Sequence, residues 1–220
     1  MSAHESEQLG VPGWFGEVLQ RELRPWVQLS NAQIGQLYVH YKLLERWNEK
    51  MNLTSLKPGV ELVVRHYCES LFFGAHFPGA ARAASIVDIG SGAGFPGVPI
   101  AVLRPDCQVT LVESNQRKSV FLREASRHLA NVSVVAERAE EVKPSFGWAV
   151  SRAVNPRDLL VSIRRLARSV GMLLGESNYA TLESFNSIAW SKPIRLPWGD
   201  RRLCVFGVSR ETDQNVPRET

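Results

Sequence analysis

The chain has no apolar run near the roughly 18 residues that crossing a bilayer demands, although 44% of its 220 residues are hydrophobic, so no membrane association is expected. Cysteine is scarce: Cys68, Cys107 and Cys204 stand far apart with no C-x-x-C spacing. They are expected to be small buried hydrophobes. The five histidines show no close pairing, and no metal site is expected. The opening "MSAHESEQLGVPG" lacks a basic segment leading into an apolar one, does not read as a signal peptide, and makes a cytoplasmic location the expectation. Strong charge of either sign is absent too. The 26 Lys and Arg against 22 Asp and Glu leave +4, a weak tilt toward an anionic partner that says nothing of fold. There is no internal repeat and no low-complexity stretch.

What is there divides in two by period. From Ser30, a residue type suited to an N-cap, "SNAQIGQLYVHYKLLERWNEKMNLTS" sets Ile34, Leu37, Tyr38, Tyr41, Leu44, Trp47 and Met51 at steps of three and four. A long amphipathic helix ending near Asn52 is expected. A shorter one is expected around Phe15 to Leu29, with Pro25 interrupting it or starting a turn. A third follows Gly59, where Leu62, Val63, His66, Ser70 and Phe73 share a face before Pro78 and "GAARAAS" break the pattern. Residues 1–80 are thus an N-terminal helical region packed on a core built by residues 81–210, with 211–220 as a disordered tail.

Beyond Ser85 come short apolar runs, "SIVDI", "QVTLVE", "VSVVA", "WAVS" and "GMLLG", separated by segments from Pro96, Ser114, Glu137 and Asn155 that are expected to be helices. Strand and helix in alternation imply a mostly parallel sheet with right-handed crossovers. Continuous apolar runs imply that both faces are covered. Near the end, "IRLPWG" and "RRLCVFGV" flank a Gly-Asp turn with no helix between them, the pattern of an antiparallel hairpin. The fold class is α/β, a Rossmann-like sheet with a helical cap.

In such a sheet ligands bind beyond the carboxyl ends of the strands, where strand order reverses. "DIGSGAGFPGVP", residues 88–99, occupies that place ahead of a helix expected to have Pro96 at its first position. Gly92, Gly94 and Gly97 spell the dinucleotide fingerprint G-x-G-x-x-G, while Asp88, Gly90, Gly92 and Gly94 spell D-x-G-x-G-x-G. A P-loop would need Lys where Val98 stands, and a nucleophile elbow around Ser91 would need glycine where Ile89 and Ala93 stand. Asp88 weighs between the two motifs that fit, because a carboxylate at the strand mouth repels a pyrophosphate and suits the ammonium and sulfonium of S-adenosylmethionine. Glu113, 19 residues after Gly94, can accept the ribose hydroxyls of either cofactor. "ERAEEV", with Ala139 and Glu140, can border an adenine ring.

The runs "NLTS" at 52–55, "RHYCES" at 65–70, "DIGSGAGFPGVPIA" at 88–101, "RP" at 104–105, "LVESNQRKSVFLRE" at 111–124, "RAEE" at 138–141 and "SRAV" at 151–154 keep an order and spacing that resemble the glucose-inhibited division protein B family. Phe95-Pro96-Gly97 after the glycines, and Ser114 with Arg117 and Lys118 after the acid, set that family apart from other methyltransferases. The resemblance implies S-adenosylmethionine-dependent methylation of a guanine N7 in 16S ribosomal RNA of the small subunit, and a monomer is expected. It implies cofactor contacts from Asp88, Gly90, Gly92, Gly94, Phe95, Glu113, Ser114, Ala139, Glu140 and Arg152. Arg152 of "SRA" is also the first substrate-side candidate, suited to guanine O6 or phosphate, with His66 beside it.

Arg65, Arg117, Lys118, Arg157, Arg164 and Arg165 are the RNA candidates; Arg168 extends one basic helix face and Arg123 and Arg127 another. Asn52 and Thr54 equally suit a helix end. The chain departs from the family in having Glu69 and Gly147 where Asp is usual, and Leu174-Gly175 where Lys-Gly is usual. Guanine N7 has an in-plane lone pair and no proton, so its methylation calls for orientation and exclusion of water rather than a base, and for a base that is unstacked or already exposed. A small-molecule methyltransferase on the same sheet, or an NAD-dependent oxidoreductase built on Gly92-x-Gly94-x-x-Gly97, are the alternatives.

Overall fold

A computed structural model describes residues 10–78, 84–143, 146–152, 163, 165–199 and 201–210. Helix α1 (Gly13–Leu23) stops ahead of Pro25, shorter than its apolar pattern, because a proline two residues on cannot continue it. Helix α2 (Asn31–Asn48) starts on a capping box, in which Ser30 Oγ accepts from the Gln33 amide and Gln33 Oε1 accepts from the Ser30 amide. It ends at Asn48 rather than near Asn52. The Asn48 side chain turns back on the chain, its Oδ1 accepting from the amides of Leu53 and Thr54 and its Nδ2 donating to the Thr54 carbonyl. Helix α3 runs from Val60–Leu62 through a π-helical stretch, Val63–Cys68, into Glu69–Ala75. Such widened turns recur at functional sites, and this one carries Arg65 and His66.

The sheet contains β1 (Ser85–Ile89), β2 (Gln108–Val112), β3 (Val132–Val135), β4 (Phe146–Arg152), β5 (Ala167–Gly175), β6 (Ile188–Trp190), β7 (Ile194–Arg195) and β8 (Arg202–Ser209), in the order β3-β2-β1-β4-β5-β8-β6 with β7 also on β8. The first five strands are parallel, and β6, β7, β8 and β5 pair antiparallel through β8. Helices α4 (Gly97–Leu103) and α5 (Gln116–Ser126) follow β1 and β2, and α6 (Tyr179–Glu183) follows β5. Strand order reverses at β1, between its neighbours β2 and β4.

Three expectations are corrected. Residues 137–143 hold turns, not a helix: the Glu141 amide reaches the Arg138 carbonyl and Glu141 Oε2 accepts from the Arg138 amide, which closes one turn and goes no further. Strand β5 begins at Ala167, so Arg168 is on a strand rather than on a basic helix. Pro96 is the residue before α4, not its first. The helix from Asn155, Arg157, Arg164, Asp200 of the hairpin turn and the tail from 211 lie outside the described residues.

The apolar runs conceal a period of two. Ile86, Val109, Leu111, Trp148 and Val150 face one layer, while Val87, Ile89, Val112 and Ala149 face the other. The first layer also contains Phe15, Leu37, Tyr67 and Phe73, so the helical region and the sheet share one core. Cys68, Cys107 and Cys204 are buried, and none of the three is in a disulfide. Phe73 joins the two parts: it stacks on Phe206 of β8 with ring centroids 5.1 Å apart, and a Cβ at Gly171 of β5 would fall 2.7 Å from its Cζ. Phe73→Ala is expected to cost about 3–5 kcal/mol. Urea unfolding followed by tryptophan fluorescence and by far-ultraviolet circular dichroism should shift together; two separated transitions would contradict the shared core.

Candidate functional site

The turn after β1 is built by glycines in the left-handed region, with φ of 69° at Gly90, 55° at Gly92 and 88° at Gly94. Asp88, fully buried at the end of β1, holds this turn from below. Its Oδ2 accepts from the Gly97 amide at 2.9 Å, and its Oδ1 has no partner among the described residues. Only glycine fits at 97, because a Cβ there would lie 2.3 Å from Leu111 Cδ2 and 2.7 Å from Asp88 Oδ2. Burial pushes the Asp88 carboxyl up to about 7, with the Gly97 amide opposing. A buried oxygen without a donor is costly; a cation or an N–H group entering the turn would satisfy it. The turn has room, since a Cβ at Gly92 would meet only the Gly90 carbonyl, at 3.8 Å.

Glu113 braces the turn from β2. Its Oε2 accepts from the Gly92 amide at 3.0 Å and its Oε1 from the Asn115 amide at 2.8 Å, leaving further lone pairs on both oxygens. Ser114 is exposed beside it. In the turn after β3, Ala139 is half-buried and Glu140 exposed. Arg165, expected on the RNA side, donates to the Ala139 carbonyl at 2.7 Å and so supports that turn.

On the other side of the glycine turn three guanidiniums surround Glu69, which is 1% exposed. Arg152 Nη2 donates to Glu69 Oε2 at 3.1 Å and to the Arg65 carbonyl at 2.7 Å. Arg202 Nη1 lies 3.0 Å from Glu69 Oε2, and Arg65 Nε lies 3.5 Å from Oε1. Burial raises the Glu69 carboxyl while the three cations pull it down; burial likewise lowers Arg152 to about 10, which leaves it a cation at neutral pH. Arg152 Nη1 is buried with no partner among the described residues.

His66 stacks on Phe95, centroids 4.7 Å apart, with Nε2 at 2.7 Å from Thr54 Oγ1 and Nδ1 without a partner among the described residues. Burial, then the charges of Arg152 and Arg202, lower its pKa to about 3. Arg65, His66, Arg152 and Arg202 line a cavity of about 410 Å³ together with Gly90, Ser91 and Phe95. The glycine turn therefore forms part of the wall of the cationic cavity.

Arg117 and Lys118, in the first turn of α5, do not line that cavity. Of the departures, Gly147 donates its amide to Ser85 Oγ at 2.9 Å, and Leu174 is buried in the second apolar layer. Two residues of the site carry no mark in the sequence. Arg202 starts β8 as one half of an Arg pair. His40 sits on the apolar face of α2 among Leu37, Tyr41 and Leu44 and reads there as core. It is fully buried, its Nε2 3.0 Å from the Ala93 carbonyl and its Nδ1 2.7 Å from the Tyr67 hydroxyl. A carbonyl only accepts, so Nε2 donates, and in a ring kept neutral by burial, with its pKa lowered to about 3, Nδ1 accepts from Tyr67. Among the described residues no cluster of three His, Cys, Asp or Glu is suited to a metal, and no helix is long and apolar enough to cross a membrane.

The family model described as GidB, rRNA small subunit methyltransferase G, matches residues 33–178. Proteins named ribosomal RNA small subunit methyltransferase G are similar over much of the chain. That of Nitrosococcus oceani is 38% identical over 153 residues, 67% of this chain and 70% of its own length. That of Photobacterium profundum is 31% identical over 193 residues, 82% of this chain and 92% of its own. Among solved structures, MtNAS in complex with MTA and tNA superposes with a TM-score of 0.57 at 14% identity, over 94% of this chain and 86% of that one. The fibrillarin pre-rRNA processing protein of Methanococcus jannaschii does so with 0.50 at 12%, over 60% and 68%. At those identities the likeness bears on the fold alone, the Rossmann-like sheet of methyltransferases. By the family model and by these relatives, the chain belongs to the GidB family, rRNA small subunit methyltransferase G.

Proposed function

We propose that this protein transfers the methyl group of S-adenosylmethionine to N7 of a guanine in 16S ribosomal RNA of the small subunit. The observation that carries this reading is the shared turn: residues 90–95 lie over a carboxylate oxygen with no partner among the described residues, and they also line a cavity with three largely buried guanidiniums. The cradle suits the cofactor. Asp88 Oδ1 would take its ammonium group, the backbone of Gly90, Gly92 and Gly94 its close approach on the side left open at Gly92, Glu113 its ribose hydroxyls, and Ser114 with Ala139 and Glu140 the adenine edge, while Phe95 and Arg152 border its methionine end. When bound, S-adenosylmethionine supplies an electrophilic methyl group on a positively charged sulfur.

The residues around the cavity suit a nucleophile that needs no deprotonation. His66, with a pKa of about 3, is a poor base, and Glu69 is engaged by three cations. Their part is to orient. Arg152 Nη1 and the Arg65 and Arg202 side chains offer donors for guanine O6 or for phosphate, and a fixed near-attack geometry supplies several kcal/mol of the barrier reduction. Arg117 and Lys118 lie farther out, where RNA phosphates would pass. With no aromatic RNA-recognition motif, the RNA is read through its folded shape. A charged cavity speaks against the small-molecule alternative, which calls for an apolar one, and membership of a methyltransferase family sets the oxidoreductase reading aside. The cytoplasm is the location this substrate implies, and a monomer is sufficient for the site.

Labelled methyl donor given to the purified protein with small ribosomal subunits or free 16S RNA should leave label in 7-methylguanine; intact cofactor binding with no label in RNA would end this reading. Asp88→Ala is expected to abolish cofactor binding, whereas Arg152→Lys keeps the charge, loses the second guanidinium nitrogen, retains most cofactor affinity and lowers kcat/KM for RNA at least about tenfold. Equal loss of affinity in both variants would refute that division.

Cofactor affinity should also depend on pH. The ammonium needs ionised Asp88, whose carboxyl titrates at about 7 with Glu113 raising it and Arg152 lowering it. Below about 7 binding must first displace a proton, so affinity falls up to about tenfold per pH unit, and above it stays level. Calorimetric titrations from pH 5.5 to 8 that give a flat profile would exclude that role.

A further inference from the structure

We infer that a second recess, between the C-terminal end of α2 and the first turns of α5, holds single-stranded RNA flanking the target nucleotide; the inference rests on the RNA reading above. The recess encloses about 440 Å³. Arg46 and Lys50 border it from α2 and Arg117 from α5, all three exposed, and none pairs with a carboxylate among the described residues. The acid that lines it, Glu124, accepts from Trp47 Nε1 at 3.2 Å. Trp47, Met51 and Val120 supply its apolar surface, and Val120 is 49% exposed.

Helix electrostatics account for part of this and fail for the rest. Basic residues at the end of α2 suit the negative pole of that helix, but Arg117 stands in the first turn of α5, at the positive pole, where a cation is disfavoured. An external anion removes that conflict. Three uncompensated cations around an apolar floor combine the two elements of a single-strand site: charge for the phosphates and a surface against which a base can lie. A duplex hides its base faces, so the occupant that uses both elements is an unstacked strand.

The position fits the same occupant. Met51 on the floor of the recess is followed two residues later by Leu53, which lines the guanidinium cavity with Ser55 and Leu56. Arg117 comes four residues after Glu113, which holds the Gly92 amide. One short loop thus connects the recess to the cavity assigned to the target base, so a strand with its guanine in the cavity has its neighbour at the recess.

The double variant Arg46→Gln/Lys50→Gln removes two exposed cations from the end of α2, should lower the melting temperature by no more than a few degrees, and should leave the affinity for S-adenosylmethionine unchanged. Its KM for small-subunit RNA should rise at least tenfold. The slope of log affinity for that RNA against log salt concentration should fall by about 0.7 for each phosphate that the variant no longer holds. Val120→Ser, which changes no charge, should raise KM by severalfold through the floor alone. Native protein that methylates RNA beside variants that match it in KM and salt slope would overturn the recess and leave the function standing. Native protein that puts no label into RNA would overturn both.

Discussion

Glu69 and its three guanidiniums hold the architecture of the site. A carboxylate taken out of water is unfavourable unless it is paired and hydrogen-bonded. Glu69 meets that condition with Arg65 from its own helix, Arg152 from the end of β4 and Arg202 from the start of β8. These elements come from the helical region, the parallel part of the sheet and its antiparallel edge. The ion cluster fixes where α3 lies against the switch point, and with it the π-helical turn that brings His66 onto Phe95. With Glu61 also lining the cavity, two carboxylates stand beside its three guanidiniums, a small cationic excess that suits an anionic group such as an RNA phosphate.

The glycine turn is held as firmly as the cavity. Asp88 grips the Gly97 amide, Glu113 the Gly92 amide, and His40 the Ala93 carbonyl through a ring oriented by Tyr67. The first two anchors belong to the sheet and the third to the helical region. A turn fixed at both its amides and its carbonyl presents a ready-shaped cradle, so little ordering remains to oppose ligand binding. The atom that these bonds leave without a partner among the described residues is Asp88 Oδ1.

How much of this is legible in the sequence follows from how far apart the partners lie along it. The bounds of β1, the glycine turn, Asp88, Glu113 and the Ser30 N-cap are short-range features, set by backbone conformation or by residues a few positions apart, and pattern finds them. The end of α2 escapes it because Asn48 closes a turn with Leu53 and Thr54 that apolar periodicity does not register. Acidic residues after Glu137 imitate the first turn of a helix, whereas the local bonds close a single turn. Arg202 lies 133 positions from Glu69, and His40 lies 53 from Ala93. No local pattern distinguishes that arginine from a surface charge or that histidine from a core residue; only the fold brings them to the site.

Charge movement during the reaction gives the asymmetry of the site a meaning. On the proposed placement of cofactor and base, transfer of a methyl group from sulfonium to N7 would move one unit of positive charge toward Arg152, Arg202 and Arg65. Their cationic excess over Glu69 would oppose that displacement, and an RNA phosphate against the guanidiniums would lessen the opposition. The same guanidiniums would then favour a guanine carried on a phosphate backbone over the isolated base. A cationic 7-methylguanine beside them would be bound less well than the neutral guanine it replaces, which would favour release of the product.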